Sequence, residues 1–153
     1  MTVSGLYVAN WVDILDNTQL AIDLSLATHK IALLSNAATP NFSTDVTWNS
    51  TNEVSGTGWA TGGVVLSAAA AGATSTAPTL TESPTGTMMY DMNDIAVAST
   101  TLTNARACRI YADALAGDNL IVLVNFGADF STSNGTFGIQ WAATGVFAID
   151  ITP

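Results

Sequence analysis

Residues able to do acid–base or metal chemistry are few in this chain of 153 residues, which has one histidine, His29, and one cysteine, Cys108. A zinc site needs several nitrogen and sulfur ligands, and two residues so far apart in the sequence cannot supply one. A Ser–His–acid triad needs an exposed nucleophile, but the G-x-S-x-G turn that presents one is absent. We therefore expect no catalytic residue, no metal and no cofactor, and we place His29 on the surface at the start of a strand.

The thiol of Cys108 stands between two arginines, Arg106 and Arg109, whose charges could lower its pKa. However, the surrounding segment ARACRIY alternates as a strand does, and a free cysteine in a strand commonly behaves as a small apolar residue. We interpret Cys108 as a filler of the core. With a single cysteine, no internal disulfide can form.

Two acidic segments could bind a cation or act as paired carboxylates. The segment YDMNDI places Asp91 and Asp94 in one turn, and DFSTSNG begins at Asp129 in the manner of a calcium-binding loop. In the second segment the glycine comes one position late, and Gln140 stands where such a loop has its bidentate glutamate. We interpret both segments as turns closed by Asn and Asp side chains.

Glycines cluster in NEVSGTGWATGGVVL, residues 52–66. Their spacing, G-x-G-x-x-x-G, is one residue longer than the dinucleotide-binding fingerprint, and neither a buried strand before it nor a helix after it is indicated. Turns and a bulge around a strand explain these glycines better than a phosphate-binding loop does. Trp48 and Trp59 could stack on a sugar, although burial in the core is the simpler interpretation of each.

The composition limits the classes of partner. Charged residues make up 10% of the chain, against about 25% in typical soluble domains. The only basic residues are Lys30, Arg106 and Arg109, and the net charge is −9. Nucleic acids and anionic membranes are excluded as partners, because binding to either relies on clustered Lys and Arg. A surface of hydroxyls and amides loses little side-chain entropy when covered, so the composition favours broad contacts with other proteins.

One short helix is predicted at the N-terminus, in LYVANWVDILDN. Tyr7, Trp11, Ile14 and Leu15 recur there at spacings of three and four, and Asn17 can end the helix. The preceding residues lack the basic segment and the apolar core of a signal peptide. No apolar run approaches the ~18 residues of a membrane span. We expect a protein that stays in the cytoplasm unless it leaves it as part of an assembly.

Strand patterns dominate the rest of the chain. Residues 20–26 alternate apolar and polar, KIALL resumes the strand pattern, and DNLIVLVNFG is a continuous apolar run typical of a strand buried on both faces. From Phe137 onward, alternation predicts one long strand bent at Gly145 or two successive strands. The sequence thus predicts a mainly β protein, an antiparallel β-sandwich of jelly-roll or immunoglobulin-like type with one short N-terminal helix. Residues 1–18 are predicted to form an N-terminal arm, and residues 19–153 a single sandwich domain.

Four segments in this order give the chain a resemblance to known proteins: HKIALL, NEVSGTGW, the ARA strand, and VNFG followed by GTFGIQW. The combination resembles a group of small β-rich virion structural proteins of tailed bacteriophages, and it extends over residues 6–153. The resemblance brings no catalytic residues with it. It implies a β-sandwich protein present in many copies, on the capsid surface or in the tail apparatus.

From this resemblance we expect a capsid decoration, or cementing, protein on the exterior of the virion, made in the cytoplasm of the bacterial host. Its expected partner is the lattice of the major capsid protein, bound as a symmetric homo-oligomer such as a trimer. One alternative is a structural protein of the tail or neck. A second, from another class, is a carbohydrate-binding or hydrolytic β-sandwich that uses Trp48, Trp59 and an acid pair.

The predicted contact surface lies in the N-terminal segment. Its members are apolar or aromatic residues: Leu6, Tyr7, Trp11 and Leu15. We expect deletion of the first sixteen residues to abolish capsid binding.

Overall fold

A computed structural model describes residues 1, 3–15, 20–66, 73–74, 76–83 and 86–150. Within them, the helix α1 spans Val8–Leu15. The strands are β1 (Gly5–Leu6), β2 (Lys30–Leu34), β3 (Glu53–Val54), β4 (Val64–Val65), β5 (Thr79–Glu82), β6 (Thr87–Asp91), β7 (Ile95–Ala112), β8 (Asn119–Ile139) and β9 (Phe147–Asp150). The predicted mainly β composition with one short N-terminal helix is confirmed.

The strands form two antiparallel sheets. The larger sheet has the order β1-β8-β7-β2-β3, with β4 also paired to β2, and the smaller sheet has the order β5-β6-β9. Every pairing between these strands is antiparallel. Side chains from both sheets meet in one core. The predicted antiparallel β-sandwich is therefore confirmed.

The centre of the larger sheet is buried on both faces. On one face Ile31, Cys108 and Ile110 share a core with Tyr90 of the smaller sheet. On the other face lies a second core, which contains Tyr7, Ala32, Leu34, Ala38, Ala107, Tyr111, Leu120 and Leu123. Neighbouring residues of a strand point to opposite faces, so a strand between two cores must be apolar throughout. This accounts for the runs KIALL and LIVLV.

Helix α1 is shorter than the sequence pattern predicts, since it begins at Val8 and not at Leu6. The carbonyl of Tyr7 accepts the first helical hydrogen bonds, from the backbone N–H groups of Asn10 at 3.0 Å and Trp11 at 3.3 Å. Leu6 belongs instead to β1, opposite Val122 of β8. Pairing with a distant strand thus overrides the helical periodicity. The predicted end at Asn17 lies outside the described residues.

Residues 20–28 do not form the strand that their alternation predicts. The side chain of Asp23 accepts hydrogen bonds from the backbone N–H of Ser25 at 2.9 Å and from its hydroxyl at 2.6 Å. This local bond closes a turn, and the chain turns again before β2. Only Leu24 of this segment is buried in the core. Side-chain bonding to the backbone therefore competes successfully with sheet pairing here.

The hairpin of β7 and β8 carries several bulges. At three places one strand advances three residues while its partner advances two. Ser99, Asn104 and Asn134 stand at these places with φ of 56°, 56° and 50°, the left-handed conformation that an inserted residue often takes. The segment from Asp129 to Asn134 continues β8. The turn predicted there from the Asx pattern is wrong, because a bulge absorbs the polar residues without ending the strand.

The C-terminal alternation corresponds to two strands that belong to different sheets. β8 ends at Ile139, a tight turn joins Ala142 to Gly145 through an N–H···O bond of 2.8 Å, and β9 then pairs with β6. Gly145 has φ of 76°, and a Cβ at this position would collide with the carbonyl of Tyr90. Only glycine meets both requirements. At this turn the chain passes from the larger sheet to the smaller one.

The glycine-rich segment is structural, as predicted. It contains β3, a turn closed by Gly56 and Trp59, and β4. Gly63 has φ of 80°, and a Cβ there would collide with the Ile31 carbonyl of the neighbouring strand. Trp59 itself is fully buried. The glycines allow close backbone approach within the sheet and do not form a ligand cradle.

Candidate functional site

His29 is a core residue, and its predicted place on the surface is wrong. Its side chain is 1% exposed, and Nε2 donates a hydrogen bond of 2.6 Å to the carbonyl of Asp23. Nδ1 is buried without a hydrogen-bond partner. Burial lowers the pKa of His29, although the Asp23 carbonyl and the charges of Asp23 and Asp113 oppose the shift. An imidazole enclosed in this way holds the turn before β2 and is not open to a substrate.

The thiol of Cys108 is enclosed in the core, as predicted. Burial raises its pKa to about 12, so the reactive thiolate is suppressed. Arg109, the next residue, points to the opposite face of the sheet, into the second core. The sheet itself therefore separates the Arg109 charge from the thiol, and Arg106 is paired with Asp129.

The acidic segments serve the fold. Asp94 accepts the backbone N–H of Trp141 at 3.0 Å, and Asp129 forms an ion pair with Arg106 in which Oδ1 and Nε are 2.7 Å apart. In the described part of the chain, no cluster of three or more His, Cys, Asp and Glu side chains has a geometry that could hold a metal ion. The first segment lies between β6 and β7, and the second lies within β8.

All three basic side chains have partners within the chain. Lys30 pairs with Asp113 at 3.0 Å, and Arg106 pairs with Asp129 as described above. The guanidinium of Arg109 is 5% exposed and lies 5.1 Å from the ring centre of Tyr7 and 5.9 Å from that of Trp48. These contacts are cation–π interactions that hold the rings of Tyr7 and Trp48 against the larger sheet. The surface available to a partner is consequently neutral or acidic.

Neither tryptophan singled out by the sequence presents an open platform for a sugar. Trp59 is fully buried and makes an edge contact with Phe137, with ring centres 5.5 Å apart. Trp48 stacks on Tyr111 with the rings nearly parallel, at 4°, and their centres 5.0 Å apart. One face of Trp48 is thus covered by the protein's own tyrosine.

The four predicted contact residues differ widely in exposure. Tyr7 is fully buried in the second core, where burial raises its pKa to about 12. Leu6 and Trp11 are half-buried and pack against the first core. Trp11 makes an edge contact with Phe147 at 5.6 Å. Leu15 alone projects freely, with 81% of its surface exposed.

Leu15 belongs to an apolar stripe along the outer side of the helix. Val8 is 52% exposed and Val12 is 53% exposed, and with Leu15 they follow the spacing i, i+4, i+7 that places residues on one side of a helix. Together with Trp11 they line a shallow groove of about 400 Å³. We call Val8, Val12 and Leu15 the α1 apolar face. Sequence reasoning missed Val8 and Val12 because it assigned the aromatic side of the helix to the partner.

Buried hydrogen bonds hold this helix rigidly. The side-chain amide of Asn10, 1% exposed, donates to the carbonyls of Val46 at 2.7 Å and Leu120 at 2.8 Å. Trp11 Nε1 donates to the carbonyl of Ile121 at 3.3 Å. Two of these carbonyls also accept a backbone N–H, Val46 from Leu120 at 3.0 Å and Ile121 from Tyr7 at 3.2 Å, so side-chain and backbone bonds together tie the helix to β8. The α1 apolar face is therefore fixed relative to the sandwich.

A second surface lies along β8. A groove of about 470 Å³ is bordered by the aromatic rings of Phe126, Phe130 and Trp141 and by hydroxyl and amide side chains, with no charged residue. Phe130 is 49% exposed and makes an edge contact with Phe126, with ring centres 6.1 Å apart. We call this feature the β8 groove. No sequence pattern indicates this groove, because the polar segment beside it, which begins at Asp129, is predicted to be a turn.

The described residues thus present two surfaces suited to binding, the α1 apolar face and the β8 groove, and no assembled catalytic cluster is seen among them. In the described part of the chain, no helix has the length and apolar character needed to cross a bilayer. Comparisons with protein-family models, with curated proteins and with solved structures find no match to this chain.

Proposed function

We propose that this chain is a virion structural protein of a tailed bacteriophage, and specifically a capsid decoration protein. It binds the outside of the major capsid protein lattice as a symmetric homo-oligomer. The proposal starts from the resemblance of the four sequence segments. The single structural observation that carries it is the α1 apolar face, a rigid and exposed apolar surface on a chain with little charge.

Exposed apolar side chains on a fixed helix supply binding energy at small entropic cost. Burying a Val or Leu side chain contributes about 1.5–3 kcal/mol. Leu15 is almost entirely exposed and Val8 and Val12 are half exposed, so a complementary groove on a partner would gain most of this energy. A capsid lattice repeats such a groove many times, and an oligomer that engages several copies binds with avidity.

The charge distribution supports an exterior position. The chain carries a net charge of −9, and its three basic side chains are engaged in contacts within the protein. Such a protein has no affinity for packaged DNA. Its attachment to a shell would depend on apolar contact and shape, so we expect that attachment to vary little with salt concentration.

The location is tested by counting copies in the virion that contains this chain. Quantitative gel densitometry against the major capsid protein, together with antibody labelling viewed by electron microscopy, distinguishes a shell from a tail. A decoration protein is expected at a copy number comparable to that of the capsid protein, with label spread over the head. A handful of copies per particle, or label on the tail alone, contradicts the proposal and supports a tail or neck protein.

The contact surface is tested with Leu15→Ala. We expect affinity for capsids that lack the protein to fall by about 10-fold or more, which corresponds to roughly 1.5 kcal/mol of lost apolar burial. Stability should change little, since Leu15 is 81% exposed in the free protein. Leu80→Ala is the matched control, because Leu80 is an exposed leucine, 42% exposed, on the smaller sheet. Equal affinities of wild type and Leu15→Ala would exclude the α1 apolar face as the contact.

A further inference from the structure

We infer that the free edge of β8 pairs with the same edge of a second copy of this chain, antiparallel about a two-fold axis. In the larger sheet, β7 lies on one side of β8 and β1 on the other. The pairing with β1 covers only Val122 and Leu123. Among the described residues, no strand pairs with the outer side of β8 from residue 124 to residue 139. The hydroxyl of Ser4 accepts the N–H of Asn125 at 2.8 Å, and the Asn125 side chain accepts that of Gly127 at 2.7 Å. The backbone donors and acceptors available to another strand therefore lie between residues 128 and 139.

This edge lacks the charges with which proteins commonly prevent edge-to-edge pairing. Residues 124–139 contain no lysine and no proline, and Asp129 is the only charged residue among them. Asp129 is neutralised by Arg106, whose guanidinium also donates to the carbonyl of Gly127. Two copies can therefore approach along this edge without placing like charges opposite one another, although each chain is strongly acidic overall.

The β8 groove provides the apolar contact that an added strand needs. Phe130 stands half exposed on the edge strand, beside Phe126. Thr100 meanwhile holds the inner side of β8, with its hydroxyl 2.8 Å from that of Thr132 and 3.0 Å from the carbonyl of Gly135. The strand is thus firmly attached on the β7 side and open on the other. A second strand on the open side would cover Phe130 and part of the groove.

A second copy is the occupant that suits this edge best. Antiparallel pairing about a two-fold axis is self-complementary. The N–H of residue i in one copy bonds to the carbonyl of residue j in the other copy, and the axis repeats the same bond with the two copies exchanged. A copy of β8 brings a neutral edge and its own Phe130, whereas an unrelated partner must expose a free edge of its own. The pairing would join the two larger sheets into one continuous sheet.

The inference goes beyond the proposed function and does not depend on it, because the pairing can be measured on the isolated protein without a capsid. Sedimentation equilibrium of the full chain at about 100 μM is expected to give a dimer, since a dissociation constant near 1 μM leaves most chains paired. Phe130→Lys, which places a charge on the edge of both copies, is expected to give a monomer with an unchanged circular dichroism spectrum.

Leu80→Lys is the matched control, because Leu80 is an exposed residue of β5, the edge strand of the other sheet. This variant should remain a dimer, and so should Leu15→Lys on the α1 apolar face. If Phe130→Lys fails to fold, Thr136→Lys, at an exposed position that also lines the β8 groove, takes its place. A monomeric wild type, a larger ring, or dissociation caused by Leu80→Lys or Leu15→Lys would overturn the inference.

Discussion

Cys108 and Arg109 are adjacent in the chain but face different cores. Burial raises the pKa of the thiol, whereas the arginine packs on the rings of Tyr7 and Trp48. His29 likewise ties a turn to β2. Adjacency in sequence is a poor guide to electrostatic coupling within a strand, since the sheet lies between neighbours.

At the residue scale, His29 makes stability depend on pH. Its pKa is lowered by burial in the folded state, so below pH ~6.5 the unfolded chain binds more protons than the folded one. The contribution of neutral, buried His29 to the free energy of unfolding is therefore present in full above pH ~6.5. As the pH falls below that value, the free energy of unfolding decreases by at most about 1.4 kcal/mol per pH unit. Urea denaturation of wild type between pH 8 and about 5 measures the loss.

The control for this pH dependence is His29→Gln, which has a side-chain N–H but no ionisable ring. The difference between wild type and variant isolates His29 from the carboxylates, whose ordinary pKa values lie lower. We expect the variant to show a flatter profile between pH 7 and about 5.5. Parallel profiles would mean that His29 ionises in the folded protein as easily as in the unfolded chain.

At the scale of elements, the long β7–β8 hairpin depends on residues that tolerate left-handed backbone. Asn104 stands at a bulge with φ of 56°, and its N–H donates to the hydroxyl of Ser131 at 2.9 Å. Asparagine adopts this conformation more readily than most residues. The bulges allow polar residues to enter a continuous strand, which is why the polar composition around Asn134 misleads a sequence-based assignment.

The bulge at Asn104 is tested by a pair of substitutions. Asn104→Val places a β-branched side chain at positive φ and is expected to lower the free energy of unfolding by about 1–2 kcal/mol. Asn104→Gly is expected to change it by only a few tenths of a kcal/mol. Thr103→Val, at the exposed neighbouring position, serves as control in the same urea titrations and should be close to neutral. Equal effects of valine at both positions would argue against the bulge.

At the scale of the whole molecule, the N-terminal segment links the helix, the second core and the edge of the larger sheet. β1 pairs with β8, Tyr7 fills the second core, and Asn10 bonds to both Val46 and Leu120. Within the segment predicted as an arm, Tyr7 and Asn10 are thus buried against the sandwich, whereas Val8, Val12 and Leu15 project from it. The deletion expected to test capsid binding would also remove these contacts.

We therefore expect deletion of residues 1–16 to destabilise the entire fold. Loss of the buried Tyr7 side chain alone is comparable to a large-to-small core substitution, which costs about 3–5 kcal/mol, and this is a large part of the stability of an ordinary domain. Thermal unfolding followed by circular dichroism should show a strongly lowered or absent transition. A truncated chain that unfolds at the wild-type temperature would show that the segment is an independent arm.

The sequence by itself determined the fold class, the buried strands and the structural role of the glycines, because alternation and apolar runs are local signals of burial. It also determined the charge balance, with three basic residues against twelve acidic ones. Only the tertiary structure decided that His29 is buried, that residues 20–28 turn, and that the outward side of α1 is Val8, Val12 and Leu15. Those outcomes depend on which distant strand or loop supplies the opposite surface, and that information is not contained in any local pattern.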